Sequence, residues 1–436
     1  MHTPFVSFLV AVFGAAVYAM TFLRADLAQF AAYKSPHPVD HPSAPKPLLD
    51  PLDTNESPLD LPEALKQKLA SDYVDAIAAN RYPDGSQSAL KQAVIGYAKR
   101  SSQLLDGDLS LANVTLGNGS DELIRSVIMA TCLGNHGSIL VASPTFSMYA
   151  ILAQTLGVTV HDAGRNEHFE VNIEAAEQAI ASAKENGPPV RVVFMVHPNS
   201  PTGNALTPAE LTWLKQLPTD ILVVVDEAYF EFSGHTTLSA ALSRPNWLVT
   251  RTFSKAFRLA AHRVGYGIGH ANIIAALEKL RLPYNLPSFS QAAAQVALAH
   301  SDQLLEQIPL IMTERDQLLQ ALAQQPCLKV WPSDSNFIYA RLSDRGLATL
   351  RASQPKTSEP KTSEPKTSEP KTSKQAQGLA SLFKQLKAKG TLIRHTGGGL
   401  RISIGTPTEN QRTLANFQQV LASTPLSCQD NALTNS

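Results

Sequence analysis

The sequence predicts an α/β protein in which a mostly parallel central sheet is covered by helices and is followed by a smaller α/β domain. Short apolar, β-branched runs recur at Ser138 to Ala142, Val190 to Val196, Ile221 to Val225 and Trp247 to Thr250, each ending in a polar or Gly/Pro-containing loop. Strands buried on both faces read this way. Helical stretches alternate with them, as the crossovers between parallel strands require. The length, 436 residues, exceeds one ordinary core, and 44% hydrophobic against 17% charged residues is the composition of a globular protein with material for more than one domain.

In chain order, residues from Thr3 to Leu23 carry no formal charge, close to the roughly 20 apolar residues that span a bilayer. A membrane anchor, an uncleaved signal segment, or a misassigned start in residues 1–19 would each produce this stretch. We prefer a true start at Met20. No Lys or Arg precedes the run, and the next residues open a short helix with apolar positions at Phe22, Leu23, Leu27 and Phe30. Residues 20–60 form an arm joining the small domain, extended from Ser35 to Pro58 where Pro and Asp are frequent. The large domain spans 61–295, with helices from about Pro62 to Ala79, from Ser88 to Lys99 and after Asp121. The small domain spans 296–424, with a strand around Phe337 to Leu342 and a helix from Leu379 to Lys389. Between these two, residues 354–374 repeat Pro-Lys-Thr-Ser-Glu with no apolar residue; a segment that cannot offset its ordering entropy is expected to be a disordered insertion. Residues 425–436 read as a polar tail.

Lys+Arg and Asp+Glu both total 37, so no strong field gathers nucleic acid or an anionic membrane. The cysteines, Cys132, Cys327 and Cys428, are scattered. They form neither a disulfide framework nor a Cys-x-x-Cys metal or redox motif, so a reducing, cytoplasmic location and no metal are expected.

Open parallel sheets bind ligands outside the carboxyl ends of their strands, which directs attention to the loops there. In the first, Thr252-Phe253-Ser254-Lys255-Ala256-Phe257-Arg258, a lysine sits just beyond a buried strand among apolar groups. Desolvation lowers such a lysine's pKa and favours imine chemistry, although a surface lysine in a Ser-Lys-Ala loop fits the same residues. Thr252, Ser254 and Arg263 could cup a phosphate, because guanidinium donors match its oxygens. A second loop, Asp226-Glu227-Ala228-Tyr229, ends a buried strand in a carboxylate and a phenol. Such a pair can hold a pyridine nitrogen protonated and hydrogen-bond a ring oxygen; a plain helix cap at Asp226 is the alternative. Val196-His197-Pro198-Asn199-Ser200-Pro201-Thr202-Gly203 offers a fixed amide, and Gly117-Asn118-Gly119-Ser120-Asp121 opens a helix whose free amides suit phosphate.

The order of these loops and the step from Lys255 to Arg263 resemble fold-type I pyridoxal-phosphate aminotransferases of class II, and within them the histidinol-phosphate aminotransferases. Asn55-Glu56-Ser57-Pro58, Arg81-Tyr82-Pro83-Asp84 and Leu400-Arg401-Ile402-Ser403-Ile404-Gly405 extend the likeness from Met20 to about Val420. The resemblance implies transamination between histidinol phosphate and 2-oxoglutarate, with imidazole acetol phosphate and glutamate as products, in histidine biosynthesis. It implies pyridoxal phosphate on Lys255, paired with Asp226 at the ring nitrogen and with Tyr229 at the ring hydroxyl. Phe146 would stack on the ring, and Gly119, Ser120, Thr252, Ser254 and Arg263 would surround the phosphate. Arg401 and Arg394 would receive the substrate's anionic end. Asn55 and Tyr82 are also expected at the substrate, Tyr82 from across a homodimer interface. An aromatic aminotransferase or a threonine-phosphate decarboxylase would share every cofactor residue. A regulatory module on the same fold would need a DNA-binding domain and a basic surface, and the sequence presents neither. Ser57 and Ser200 stand where the family commonly has asparagine, so Asn199 is expected to supply the amide contact to the ring. Arg258 replaces a frequent glycine, adding a cation near the lysine.

Overall fold

A computed structural model describes Arg24 and residues 49–105, 107–347 and 374–422. The expectations for residues 1–19, for the arm before Leu49, for the repeat up to Ser373 and for the 425–436 tail lie outside the described residues. Those from Leu49 onward belong to one compact unit, Pro45–Ser436.

The strands are β1 (Asp50–Pro51), β2 (Val114–Asn118), β3 (Ser138–Val141), β4 (Val160–Asp162), β5 (Val190–Val196), β6 (Leu222–Asp226), β7 (Trp247–Thr252), β8 (Val264–Gly269), β9 (Leu328–Trp331), β10 (Phe337–Leu342), β11 (Thr391–Leu392), β12 (Arg394–Thr396) and β13 (Gly399–Ser403). The main sheet has the order β2-β8-β7-β6-β5-β3-β4. Only β8 runs against its neighbours, so the sheet is mostly parallel, as expected. Apart from Arg191 and Leu222, β5, β6 and β7 are buried along their whole lengths. Helices on both faces require that, and the Val-rich runs satisfy it.

Register sets the site. Val196 pairs with Asp226 and Asp226 with Thr250, so the loops leaving β5, β6 and β7 emerge side by side at one sheet edge. A buried ion pair fastens two of these strands: Arg251 of β7 donates from Nε and Nη2 to Glu227 Oε2 at 3.0 and 2.8 Å. Its guanidinium carbon also sits 3.6 Å from the Phe230 ring centroid. Burial opposes the charge on Arg251, but Glu227 beside it wins and raises its pKa overall.

The second sheet is antiparallel in the order β12-β13-β10-β9. One face is covered by helices Ile308–Ala323, Lys374–Ala388 and Pro407–Ala422, whose Leu318, Leu322, Leu382, Leu386 and Phe417 share a core with Ile338, Leu400 and Ile402. The arm, expected to be merely extended, forms a short strand where it is described: β1 pairs in parallel with β11, Asp50 opposite Thr391. Arg412 clamps the same point, donating from Nε and Nη2 to the two Asp50 oxygens at 2.9 and 2.6 Å.

Element ends differ modestly from expectation. The first helix is Glu63–Asp75 and the last but one begins at Lys374. Cys132 is a buried free thiol. Among the described residues no helix is long and apolar enough to cross a membrane.

Candidate active site

The three loops that register brings together carry Asn199, Asp226 and Lys255 to one edge of the sheet. Asp226 closes β6 and is buried. Its Oδ2 accepts from the Tyr149 hydroxyl at 2.8 Å and its Oδ1 from the Ala228 amide at 3.2 Å. Burial pushes its carboxyl up to about 6; the Tyr149 hydrogen bond opposes that rise and the Asp121 charge adds to it. Tyr149 is a contributor that sequence reasoning missed. Its ring stacks on Phe194 at 4.7 Å, and Phe146 meets it edge-on at 5.5 Å. Phe146 and Tyr149 are three apart, one on and one just before helix Met148–Thr155, and that spacing is the signal that could have paired them.

Lys255 is partly buried, and its Nζ donates to the Thr54 carbonyl of the arm at 2.8 Å. Burial lowers its pKa from the ordinary lysine value; Tyr229 and Glu56 oppose the fall, while Arg401 and Arg263 deepen it. The imine-forming reading of this lysine therefore has its physical cause in place.

Beside it lies an oxyanion cradle. Arg263 Nη1 donates to Ser254 Oγ at 3.3 Å, Thr252 Oγ1 to Ser254 Oγ at 3.0 Å, and Arg263 Nη2 to Asp121 Oδ2 at 3.1 Å. Ser120 opens helix Ser120–Cys132, whose first-turn amides and dipole favour an anion, while the Gly119 amide before it donates to the Arg263 carbonyl at 2.8 Å. Here glycine is obligatory. Gly119 has φ +74°, and a Cβ on it would lie 2.4 Å from Arg263 Nη2; one on Gly265 would lie 2.5 Å from the Ser120 nitrogen.

Arg401 of β13 reaches across from the second sheet. Nη1 donates to Ser200 Oγ at 3.1 Å and Nη2 to the Asp53 carbonyl at 2.7 Å. Arg394 of β12 is its direct cross-strand partner, so both side chains leave the same face of the sheet. Two guanidinium groups held this way suit a phosphate or a carboxylate.

The other expected residues make contacts within the protein. The Asn199 amide is fully engaged by the protein: Oδ1 accepts from Thr145 Oγ1 at 3.0 Å and Arg165 Nη2 at 3.3 Å, and Nδ2 donates to the Pro144 carbonyl at 3.0 Å and Thr202 Oγ1 at 2.6 Å. Its hydrogen bonds fix the loop and leave no donor for a ring. Asn55 is completely buried, and its Nδ2 donates to Tyr229 Oη at 2.9 Å. Arg258 caps the Asp60 and Leu304 carbonyls at 3.1 and 3.0 Å, so the cation that replaces glycine braces the lysine loop from outside. Tyr82 is 80% exposed and stacks on Tyr284 with centroids 4.6 Å apart. Arg165, buried and bridging Ala142, Phe169 and Asn199, carries no sequence signal that distinguishes it from a surface arginine.

Residues 51–417 match the family model for aminotransferase class I and II. The chain belongs to the class I and II aminotransferases. Among these aminotransferases it groups with the histidinol-phosphate aminotransferases. That of Trichodesmium erythraeum is 53% identical over 402 residues, 92% of this chain and 99% of the relative. That of Synechococcus elongatus is 52% identical over 405 residues, covering 92% and 98%. The fold matches a histidinol-phosphate aminotransferase from Sinorhizobium meliloti solved with pyridoxal-5'-phosphate, with TM-score 0.68 and 21% identity, over 86% of this chain and 90% of that one. It matches an L-threonine-O-3-phosphate decarboxylase from Porphyromonas gingivalis with TM-score 0.64 and 19% identity, over 85% and 99%. The fold is thus that of the fold-type I enzymes.

The residues present fit the family's cofactor, pyridoxal phosphate. The helix end at Ser120 with Thr252, Ser254 and Arg263 would offer donors for its phosphate, with Gly119 letting the backbone approach closely. Asp226, an acceptor at the carboxyl edge of β6, suits a protonated ring nitrogen, and Lys255 would supply the amine.

Proposed function

We propose that this aminotransferase moves the amino group of histidinol phosphate to 2-oxoglutarate, giving imidazole acetol phosphate and glutamate, as a step of histidine biosynthesis. The observation that carries the substrate assignment is identity near one half, over nine-tenths of the chain, to relatives named for that reaction. When bound, pyridoxal phosphate supplies a ring into which electrons from the substrate carbon can be drawn. The chain's own residues do the rest. Asp226 is ionised above about pH 6 and holds the proton on the ring nitrogen. Lys255, whose amine burial shifts toward its neutral form, takes the proton from the substrate carbon. Arg401 and Arg394 orient the anionic end of either partner, phosphate of one and carboxylate of the other, because a guanidinium fork accepts both.

Arg401→Ala raises KM for histidinol phosphate and for 2-oxoglutarate alike, by about 10–100-fold, the loss of one or two charge-assisted hydrogen bonds. Steady-state kinetics with each substrate varied measures this, and a rise for only one of them removes the shared-site reading. The reaction itself is tested by a coupled assay with histidinol phosphate, phenylalanine, tyrosine and threonine phosphate as amine sources. A preference for histidinol phosphate above about tenfold is expected. A smaller one makes the chain a broad-range aminotransferase, and carbon dioxide released from threonine phosphate makes it a decarboxylase.

We read the working unit as a homodimer in the cytoplasm. Supporting the dimer, Tyr73, Val74, Tyr82, Leu282, Tyr284 and Phe289 are exposed apolar groups, with Tyr73 edge-on to Phe289 at 5.8 Å. An apolar area of this kind marks an interaction surface. Tyr82, which stacks there rather than on a site residue of its own chain, would then complete the partner's pocket.

A further inference from the structure

Asn55 lies in the arm, is completely buried, and bonds to the protein through both polar atoms of its side chain. It has φ +55°, a left-handed conformation that asparagine tolerates better than most residues. Three contacts fix it. Its backbone amide donates to Ser403 Oγ at 2.9 Å, the Ser403 hydroxyl donates to Asn55 Oδ1 at 3.0 Å, and Asn336 Nδ2 donates to the Asn55 carbonyl at 3.2 Å. With Oδ1 held by the serine hydroxyl, Nδ2 faces Tyr229 and donates to its oxygen at 2.9 Å. Ser403 ends β13, two residues beyond Arg401, and Asn336 precedes β10. The fixture is therefore built by the second sheet.

The consequence follows from hydrogen-bond inventory. A phenol has one hydrogen and two acceptor positions. Because Asn55 fills an acceptor position, the Tyr229 hydrogen must point elsewhere. The ring is held edge-on by Phe337 at 5.1 Å, which leaves rotation of the hydroxyl as its main freedom. A donor on the oxygen also polarises the O–H bond, strengthening whatever bond that hydrogen makes. Ser200, whose Oγ accepts from Arg401, has no amide to offer, and the Asn199 amide is engaged by its own loop, so Tyr229 is the phenolic donor for the ring oxygen.

We propose that Asn55 is a positioning residue that acts through Tyr229, aiming the phenolic hydrogen at the ring oxygen of pyridoxal phosphate in place of the asparagine that Ser200 lacks. The inference rests on the pyridoxal phosphate reading of the site and adds to it a residue that acts through Tyr229.

The test reads the cofactor's visible absorption band in the holoenzyme as pH is varied. The band titrates with a proton shared between the lysine-linked nitrogen and the ring oxygen, so a weaker donor at that oxygen moves the midpoint up. Asn55→Gly keeps the positive φ and deletes the donor. It is expected to raise the midpoint by about half a pH unit, the size of one ordinary hydrogen bond. In a Tyr229→Phe background the same substitution is expected to move nothing further, because two groups acting through one bond are not additive. The charged groups around the amine, Arg401, Glu56 and Arg263, together with Asp226, are the same in every variant. An unchanged midpoint in Asn55→Gly, or an equal shift in the Tyr229→Phe background, overturns the proposal. Should Asn55→Gly fail to fold, Ser403→Ala, which frees the amide to turn, is put through the same two readings. If wild-type protein with added pyridoxal phosphate develops no such band, the cofactor reading itself has failed, which distinguishes the two outcomes.

Discussion

Lys255→Ala abolishes turnover while leaving the fold intact. The substitution removes both the amine that holds the cofactor and the base that moves the substrate proton. A base alone is worth about 10²–10⁴-fold, so the combined loss is expected at the upper end of that range or beyond it. The fold survives because Nζ makes one protein hydrogen bond, to the Thr54 carbonyl, and because burial already disfavours its charge. Deleting a desolvated ammonium is not expected to lower the melting temperature. The measurements are single-turnover kinetics and borohydride reduction in the presence of pyridoxal phosphate, followed by peptide mapping. Wild-type protein is labelled at Lys255 and the variant is not. Label on a different lysine, or activity retained by the variant, would reject the site as drawn.

Asp226→Asn is expected to do two opposite things. With cofactor bound it slows proton abstraction by about 10²–10³-fold, the usual effect of removing a preorganised charge from its place beside a reacting group. Without cofactor it stabilises the protein. The carboxyl is pushed up to about 6 in the native state, against 3.8 as its reference value. Between those values the native state binds more protons than the unfolded one, so stability falls as pH rises, and above about pH 6 the whole penalty is present. Two units correspond to about 3 kcal/mol, and the variant loses one acceptor worth about 1 kcal/mol, so the net gain is on the order of 1–2 kcal/mol. Thermal unfolding of cofactor-free protein at pH 8 is expected to show the variant melting higher, with the gain gone at pH 4, where the wild-type carboxyl is neutral as well. A variant that melts lower at both values would show that Asp226 is not held by burial.

How much of this could be read from the chain depends on whether a residue's environment is local. β5, β6 and β7 were legible because burial on both faces leaves a run with almost no polar interruption, and the site loops follow directly at their carboxyl ends. β8, Val264-Gly-Tyr-Gly-Ile-Gly269, was not. Its glycines weaken any strand pattern, yet Gly265 is there because the Ser120 backbone passes too close for a Cβ. Lys255, Asp226 and Arg263 announce themselves by chemistry and spacing. Asn199 and Asn55 do not, since which atoms exhaust their amides is decided by Thr145, Arg165 and Ser403, residues 54, 34 and 348 positions away. Arg258 looked like a charge added to the pocket, and only the positions of the Asp60 and Leu304 carbonyls reveal it as a brace.

The short strand β1 has a mechanical corollary. From its pairing with β11, the chain runs through Asp53, whose carbonyl accepts from Arg401, and Thr54, whose carbonyl accepts from Lys255, to Asn55, whose side-chain amide donates to Tyr229. Three successive residues thus tether three working side chains, and the same ribbon is riveted by Arg412 to the C-terminal helix. A shift of that helix cannot be felt at the anion-binding arginine without also being felt at the lysine amine and the tyrosine, so the three move as one lever rather than as independent parts.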